Sequence, residues 1–290
     1  MEIVDPESVE LSDNSFVFIL TSFFVGLTCN DILSRLYKDG KPIIYHIKES
    51  DKDLFTARSR GWLEFYKEHI DDLICVGEWL NDEESVENFI EHIRCYCEYK
   101  CWELPHITTR YKYFYGNEGE KLYRHLDDEV WLNCGSSTGD NIFSYFRQGL
   151  NAKHIFAIEG DRLDCQRLKD NIALLPEKYR TVVDIHNIII SSDTNIDVIL
   201  KGEKISLINA DIEGAELGLL QTMESVIVKD RPVIAICVYH KKEDIIEIPK
   251  YINGIVTNYE FKFRKYQPGI DCVSLGHELV LYAIPKERMI

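Results

Sequence analysis

The second half of the chain alternates between short apolar runs and amphipathic segments. From about residue 128, β-branched runs of strand length are separated by stretches with helical spacing, the pattern of a parallel sheet with crossover helices. Several runs are apolar throughout, which is typical of strands buried on both faces. The last two runs have no helix-length segment between them, so we predict a doubly wound, Rossmann-like α/β fold whose mainly parallel sheet ends in an antiparallel hairpin. The seven predicted strands are Val130–Cys134, His154–Ile158, Val182–Ile189, Ile205–Ala210, Val233–Tyr239, Tyr259–Arg264 and His277–Ile284.

The first part of the chain, to about residue 125, has mainly helical patterning. A capping residue, acidic residues in the first turn and apolar residues at helical spacing predict a helix over Asp82–Tyr99. Lys41–His46 has the pattern of a short strand, and Phe16–Leu27 that of a core element. We therefore divide the chain into a mainly helical region, residues 1–125, and a sheet domain, residues 126–290. The predicted apolar face of the helix consists of Val86, Phe89, Ile90, Ile93 and Cys97.

The charge balance narrows the function classes. The chain has 290 residues, with 49 acidic and 33 basic side chains and a formal net charge of −16. Such a surface repels phosphate backbones, so we expect small neutral or cationic ligands rather than nucleic acid. The N-terminus is acidic, unlike a signal peptide, and Phe16–Leu27 is too short to span a bilayer, so no membrane segment is expected. Nine cysteines, several of them within apolar runs, favour a cytoplasmic protein over a secreted one.

The first candidate ligand-binding segment is a glycine-containing turn. The sequence WLNCGSSTGD, from Trp131 to Asp140, leads from a hydrophobic strand through a turn into a helix that begins near Asp140. Glycines allow the backbone to approach a ligand closely, and a helix start offers free N–H groups. Gly135 and Gly139 could equally serve the geometry of the turn alone. By itself, the turn is weak evidence of a ligand site.

An acidic residue ends the next strand. Glu159 lies 24 residues after Gly135, close to the spacing at which a carboxylate binds both ribose hydroxyls of a nucleotide. The carboxyl ends of parallel strands share one edge of a sheet, so Glu159 and the turn should adjoin at the switch point where such sheets bind ligands. A solvated acid at a strand end is the alternative. Ser136 replaces the middle glycine of a dinucleotide fingerprint, which favours S-adenosylmethionine over a dinucleotide.

Three carboxylates follow the predicted strand Ile205–Ala210. Asp211 should emerge at the same sheet edge as Glu159, with Glu213 and Glu216 close behind it. Glu213 and Glu216 could be first-turn acids that stabilise the start of a helix. Beside a nucleotide site, the three carboxylates could instead hold the second substrate, bind a metal or act as a base.

His240 directly follows the predicted strand Val233–Tyr239. A histidine at a strand end can transfer a proton near neutral pH, although a lone histidine is often only a surface residue. The sheet edge that it shares with Asp211 favours the functional interpretation. We expect His240 to act as a base, with Asp211 and Glu213 orienting it or a substrate hydroxyl.

Together these segments resemble the FkbM-type methyltransferases, a branch of the class I S-adenosylmethionine-dependent enzymes. The resemblance covers roughly residues 120–285, in matching order and spacing, and its Asp-x-Glu-Gly-x-Glu segment is the most specific part. The matching stretches are Asn133-Cys134-Gly135 with Gly139-Asp140, Ala157-Ile158-Glu159, Asp211-Ile212-Glu213-Gly214-Ala215-Glu216, Val238-Tyr239-His240 and Glu278-Leu279-Val280-Leu281-Tyr282.

The resemblance implies a seven-stranded sheet, S-adenosylmethionine as cofactor and methyl transfer to an oxygen, usually a sugar or natural-product hydroxyl. It also implies that Glu159 binds the ribose and that Asp211 lies near the transferring methyl, with His240 opposite. Apart from the resemblance, we expect the helical region, residues 1–125, to bind the acceptor or cap the site. The expected catalytic residues are His240, Asp211 and Glu213. The expected cofactor-binding residues are Asn133, Gly135, Ser136, Gly139, Asp140, Glu159 and Asp211.

Two positions depart from the family pattern. The first motif usually begins with Asp and here begins with Asn133, and Lys is common where this chain has Asn209. The first change removes a negative charge near the ammonium group of the ligand. The two changes leave open a catalytically inactive protein of the same fold that binds a ligand or acts as a scaffold. A nicotinamide-dependent oxidoreductase is the third hypothesis.

Metal binding is not expected. Asp211 and Glu213 could hold a hard divalent cation, but this is the less favoured hypothesis. Packing thiols are favoured over a zinc site in the cysteine-rich segment, because its spacing lacks the paired arms of structural zinc sites. That segment contains Cys95, Cys97, Cys101 and His106.

A run of aromatic residues precedes the sheet domain. It could line the acceptor pocket or pack the two regions of the chain together, and packing is the favoured interpretation. The run consists of Tyr111, Tyr113, Phe114 and Tyr115.

Overall fold

A computed structural model describes residues 17–19, 43–45, 61–98, 113–115, 119–191, 194–266 and 278–290. The chain divides into two compact units. The first comprises Met1–Glu64, Arg94–Leu104 and Pro268–Leu275, and the second comprises Phe65–Ile93, Pro105–Gln267 and Gly276–Ile290. All of the predicted site residues belong to the second unit. A cap or acceptor-binding role for residues 1–125 stays a prediction.

Two short strands pair in the first unit. Strand β1 (Val17–Ile19) lies parallel to β2 (Ile43–Tyr45), which confirms the strand predicted within Lys41–His46. Trp62 stacks on Tyr96, with ring centroids 3.8 Å apart. The rest of the run Phe16–Leu27 lies outside the described residues, as do Cys101, His106 and Tyr111.

The second unit contains the predicted seven-stranded sheet. Its strand order is β5–β4–β3–β6–β7–β9–β8, with neighbours parallel except around β9, which is antiparallel to both β7 and β8. The mainly parallel sheet with an antiparallel end is therefore confirmed. Chain order reverses between β3 and β6, which is the switch point of the sheet. The strands are β3 (Glu129–Cys134), β4 (Ala152–Glu159), β5 (Val183–Asn187), β6 (Leu207–Ala210), β7 (Val233–Cys237), β8 (Tyr259–Tyr266) and β9 (Glu278–Pro285).

Helices alternate with the parallel strands, as crossover connections require. Among the described residues, none of the helices combines the length and the apolarity that a bilayer crossing needs. The helices are α1 (Ile70–Gly77), α2 (Glu83–Glu98), α3 (Asp140–Arg147), α4 (Arg162–Ala173), α5 (Glu177–Arg180), α6 (Ile196–Leu200), α7 (Glu216–Thr222), α8 (Glu224–Asp230) and α9 (Asp244–Ile255), with a final 3-10 turn at Lys286–Arg288.

The central strands form the core. Every residue of β3, β6 and β7 is buried, which confirms the prediction drawn from their apolar runs. Phe114 and Tyr145 extend this core. Phe114 packs edge-on against Trp131 of β3 and against Tyr145 of α3, with ring centroids 5.3 and 5.1 Å away. Each fully buried large apolar side chain contributes about 1.5–3 kcal/mol of transfer free energy.

Helix α2 begins at the predicted position. The Asp82 carboxylate accepts the backbone N–H and the hydroxyl of Ser85, at 2.9 and 2.5 Å, which confirms the predicted cap. The predicted apolar face is wrong in part, because Val86 and Ile90 are 36% and 54% exposed. Phe89 is buried as predicted, and its buried neighbours are polar: Ser85, Asn88 and His92.

The polar face of α2 is buried because it covers an edge of the sheet. The Phe263 N–H of edge strand β8 donates to Ser85 Oγ at 3.0 Å, and Asn88 Nδ2 donates to Phe263 O at 3.2 Å. An edge strand leaves one row of backbone groups unpaired, and these groups need partners when they are buried. The side-chain hydroxyl of Ser85 and the amide of Asn88 supply those partners, which an apolar side chain could not do.

A buried ion pair closes the sheet at the start of its parallel strands. Arg288 donates five hydrogen bonds, three to the carboxylate of Glu129 and one each to Arg124 O and Ser206 O. The Leu126 N–H donates a further bond to Glu129 Oε2 at 3.1 Å. This saturated cluster of Glu129 and Arg288 fixes the end of the chain to the first strand of the sheet.

Candidate active site

The glycine turn contacts the end of β6. The Asp211 N–H donates to Cys134 O at 3.0 Å. Gly135 has φ +78, and a Cβ at this position would lie 1.9 Å from Asp211 O. At Gly139, with φ +98, a Cβ would lie 2.8 Å from Leu168 Cδ1. Both glycines are thus required by the geometry of the fold, and their contact with a ligand stays a prediction.

Glu159 adjoins this turn, as its position in the sequence predicts. Its Oε2 accepts the Ser137 N–H and its Oε1 accepts the Asp161 N–H, both at 2.7 Å. Each carboxylate oxygen has two acceptor sites, so one acceptor site on each oxygen is not used by these backbone bonds. The backbone bonds hold the carboxylate in place before any ligand arrives.

An exposed apolar side chain lies beside Glu159. Ile189 is 76% exposed, and its Cγ1 is 3.1 Å from the position that a Cβ on Gly160 would take. Asn187 Nδ2 donates to Glu159 O at 2.8 Å and to Gly160 O at 3.2 Å, which fixes this loop. Ligand pockets combine apolar surface with a few placed polar groups. Glu159 and Ile189 thus place a fixed carboxylate beside an exposed apolar side chain, and their contact with a nucleoside stays a prediction.

The two positions that depart from the family pattern face each other. Asn133 and Asn209 are directly opposite in the β3–β6 pairing, and both are completely buried. Asn209 Nδ2 donates to Asn133 Oδ1 at 2.9 Å, and Asn209 Oδ1 accepts the indole N–H of Trp131. The two changes form one neutral hydrogen-bonded pair within the sheet.

Ser136 and Asp140 lie at the two ends of the turn. Ser136 is buried, and its hydroxyl donates to Asn133 O at 3.0 Å. Asp140 is the exposed first residue of α3, where a carboxylate complements the positive end of the helix. Ser136 stabilises the turn from within, and only Asp140 of the two faces solvent.

Asp211, Glu216 and His240 form an ionic cluster at the carboxyl ends of β6 and β7. His240 Nε2 is 3.3 Å from Asp211 Oδ1, and His240 Nδ1 is 2.9 Å from Glu216 Oε1. The ring N–H groups do not point straight at these oxygens, so the contacts are close ion pairs rather than well-directed hydrogen bonds. The predicted proximity of Asp211 and His240 is present.

The carboxylates control the charge of His240. Burial alone would lower the pKa of His240, but the adjacent Asp211 and Glu216 raise it to about 10. The imidazole therefore carries a proton near neutral pH. A role as a base requires this proton to leave first, and that role stays a prediction.

Two tyrosines direct their hydroxyls at Asp211. Tyr239 O–H donates to Asp211 Oδ1 at 3.2 Å, and Tyr113 O–H donates to Asp211 Oδ2 at 3.4 Å. Burial raises the pKa of both phenols, so they stay neutral donors. Of the aromatic run, Phe114 packs against Trp131 and Tyr145 of the sheet domain, and Tyr113 also reaches Asp211.

Comparisons with known proteins identify the fold. No protein-family model and no curated protein matches the sequence. Among solved structures, the methyltransferase FkbM from Methylobacillus flagellatus KT is similar, with a TM-score of 0.68 at 20% identity over 88% of this chain and 70% of that chain. The chain has the fold of the FkbM methyltransferase.

Other solved methyltransferases match less of the chain. An rRNA methylase from Streptococcus thermophilus has a TM-score of 0.39 at 15% identity, over 58% of this chain and 90% of that chain. A precorrin-6y C5,15-methyltransferase from Geobacter metallireducens GS-15 has a TM-score of 0.39 at 13% identity, over 56% of this chain and 83% of that chain.

Within the methyltransferase fold, the acid nearest to His240 is Glu216. The predicted Glu213 is 92% exposed, and its Oε2 is 3.7 Å from His240 Nε2. Glu216 is completely buried, and its Oε1 also accepts the Ile212 N–H at 2.9 Å. Glu216 is the first residue of α7, as the helix-start interpretation predicts, and it also lies beside His240. The sequence grouped Glu216 with Asp211 and Glu213, and it carries no local signal of which of the two glutamates is buried beside His240.

Proposed function

We propose that the chain is an S-adenosylmethionine-dependent methyltransferase that methylates a hydroxyl oxygen of a small molecule or glycan, such as a sugar or a natural product. One observation carries the proposal. At the switch point of a methyltransferase-type sheet, the turn at Gly135 contacts the backbone of Asp211, and the same turn holds the carboxylate of Glu159. The net charge of −16 supports a neutral or cationic acceptor over nucleic acid.

The cofactor would lie along this edge. Glu159 would bind the ribose hydroxyls, and Ile189 would cover one face of the base. When bound, S-adenosylmethionine supplies a methyl group on a positively charged sulfur. The methionine moiety would lie over the backbone of the turn at Gly135 and Gly139 and beside the exposed Asp140 at the start of α3. The predicted contacts of Asn133 and Ser136 would be indirect, because both side chains are buried beneath the turn.

The cluster of Asp211 and His240 would receive the acceptor. A hydroxyl aligned behind the methyl group gains roughly 7–11 kcal/mol from positioning in favourable cases, and a base adds roughly 10²–10⁴-fold in rate. Asp211 would accept the proton of the acceptor hydroxyl, because His240 already carries a proton near neutral pH. His240 would hold Asp211 in place, and Glu213 would contact the acceptor from the rim.

The inactive-scaffold hypothesis was motivated by Asn133 and Asn209. These residues hydrogen-bond to each other inside the sheet and are shielded from solvent. Because the exposed groups of the site do not include either residue, the two changes are compatible with cofactor binding. The buried pair therefore gives no reason to prefer the scaffold to the enzyme.

The first experiment is calorimetric titration of the full chain with S-adenosylmethionine, its demethylated product and NAD. We expect the first two to bind. Glu159→Gln should weaken both by about 1.5–3 kcal/mol, the worth of a charged hydrogen bond, while Glu177→Gln, at an exposed acid of α5, should not. Binding of NAD alone would indicate the oxidoreductase, and binding of none would indicate the scaffold.

The second experiment measures formation of the demethylated product with a panel of sugars and hydroxylated natural products. Asp211→Asn should lower kcat by roughly 10²–10⁴-fold, with a smaller effect on cofactor affinity. Turnover unchanged in His240→Ala would remove His240 from the mechanism. Methylation of amines with no activity on hydroxyls would overturn the oxygen acceptor while leaving the methyltransferase intact.

A further inference from the structure

Three side chains of metal-ligand type meet at the carboxyl edge of the sheet. One donor atom from each of Asp211, Glu216 and His240 lies within 4.8 Å of the other two. Imidazole nitrogens and carboxylate oxygens bind divalent metals at about 2.0–2.2 Å. Small side-chain rotations would therefore bring all three donors onto one ion.

Glu216 provides a second and independent observation. Its side chain is completely buried, and its Oε2 accepts no hydrogen bond from the described residues. A buried polar atom left without a partner costs about 1–3 kcal/mol, and more when it is charged. Buried charges in proteins are usually paired or coordinate a metal. Oε2 thus has an acceptor position to which a cation would bind.

His240 has matching properties. Its side chain is 10% exposed, and neither ring nitrogen makes a directed hydrogen bond among the described residues, despite two carboxylates within 3.3 Å. A metal that binds imidazole takes the place of a ring proton, and a ring nitrogen that has no directed bond to a neighbouring acid is available for that exchange. The backbone bond from Ile212 to Glu216 Oε1 fixes the carboxylate on the other side.

We infer that Asp211, Glu216 and His240 bind one divalent cation of intermediate hardness, Mn²⁺ or Zn²⁺. One imidazole and two carboxylates suit these ions, whereas Ca²⁺ and Mg²⁺ favour oxygen ligands alone. Three protein ligands leave coordination positions open. The binding stands without any catalysis. The further step, that an open position takes the acceptor hydroxyl, rests on the proposed methyl transfer.

The test is an equilibrium titration of the chelator-treated full chain with Mn²⁺, in which free Mn²⁺ is followed by its paramagnetic resonance signal. Mn²⁺ is the primary probe because the nine cysteines of the chain compete for Zn²⁺. We expect one bound equivalent. Glu216→Gln and His240→Ala should each weaken binding by at least ~10-fold.

Glu213→Gln is the matched control, since Glu213 is exposed and 3.7 Å from the same imidazole. Its affinity for Mn²⁺ should stay close to that of the unmodified chain. Thermal melts without metal check that the variants fold. Asp211→Asn, at a partly exposed position, reports on the same cluster if Glu216→Gln unfolds.

Two results would overturn the inference. One is a chain that binds no Mn²⁺ while still binding S-adenosylmethionine, which would leave the proposed function standing. The other is binding that Glu213→Gln abolishes and Glu216→Gln leaves intact, which would place the ion at the rim. Binding of Mn²⁺ without any binding of S-adenosylmethionine would support the metal site and contradict the methyltransferase.

Discussion

The sheet holds one ionic cluster at the starts of its parallel strands and another at their carboxyl ends. The two clusters differ in how completely their polar atoms are paired. At the strand starts, Glu129 and Arg288 use every donor direction of the guanidinium and bonds to both carboxylate oxygens. At the strand ends, Asp211, Glu216 and His240 are close but misaligned, and Glu216 Oε2 is unpartnered among the described residues.

This difference in pairing indicates a structural role for the cluster of Glu129 and Arg288 and a functional role for that of Asp211, Glu216 and His240. A saturated network has no position left for a ligand, so its effect is on stability. A cluster with an unpartnered acceptor and poorly directed contacts keeps interactions available for a proton, a cation or a hydroxyl. Asp211 and His240 are recognisable in the sequence because each directly follows a predicted strand, whereas Glu129 and Arg288, 159 positions apart, have no comparable sequence signal.

The largest expected effect tests the structural cluster. Arg288→Ala leaves the buried Glu129 carboxylate unpaired and should lower the free energy of unfolding by about 3–5 kcal/mol. Urea denaturation followed by circular dichroism measures it. Glu287→Gln, which breaks an exposed pair with Arg231, should cost less than about 1 kcal/mol. Equal effects of the two variants would show that pairing at this edge is no stronger than a surface ion pair.

A double-mutant cycle tests the hydrogen-bonded pair of Asn133 and Asn209 inside the sheet. Asn133→Asp or Asn209→Lys alone places an unpaired charge in the sheet and should destabilise the chain by about 3 kcal/mol. The double variant, which restores the charged residues of the family pattern, should recover roughly 1–3 kcal/mol of the summed loss. Strict additivity in the same urea assay would mean that the two positions are not coupled.

The pH dependence of stability tests the cluster of Asp211, Glu216 and His240. The pKa of His240 is about 10 in the folded chain against an ordinary value of 6.5, so its contribution is fully present below about pH 6.5 and is lost as the pH rises through about 10. We expect the urea midpoint of chelator-treated protein to fall over this range. The acids within 4 Å of the ring are Asp211, Glu213 and Glu216, and the charge of Asp244 also interacts with that of His240.

The control for this pH effect is His240→Ala, in which the fall over the same range should be smaller. Burial and the nearby Glu216 raise the pKa of Asp244 to about 6, so data below that pH also report on Asp244. A midpoint that falls equally in both proteins would show that other groups are responsible.

The smallest expected effect on stability comes from backbone strain at Glu213, beside the cluster of Asp211, Glu216 and His240. Glu213 has φ +55, a conformation that is unfavourable for a residue with a side chain. Glu213→Gly should raise the free energy of unfolding by up to about 1 kcal/mol and lower turnover. Lys201→Gly, at φ +53 on the C-cap of α6, relieves the same kind of strain but also removes an ion pair with Asp184, so its gain should be smaller, with turnover unchanged. A loss of stability in Glu213→Gly would show that the side chain itself stabilises the loop.

The sequence by itself determined the features that depend on local periodicity and local chemistry. Strands such as β3 and β7 appear as apolar runs because both faces are buried, and the Asp82 cap is recognisable because its partner Ser85 is three residues away. The separation of Gly135 and Glu159 located the candidate cofactor site, because parallel strands bring their carboxyl ends to one edge.

Only the tertiary structure decided which polar residues are buried and what they pair with. Arg288 and Glu129 are 159 positions apart, and Asn133 faces Asn209 through strand register. Glu216 rather than Glu213 became the buried acid, although both follow the same strand. The physical reason is that burial and pairing depend on contacts between distant segments, and these contacts exist only once the strands and helices have packed.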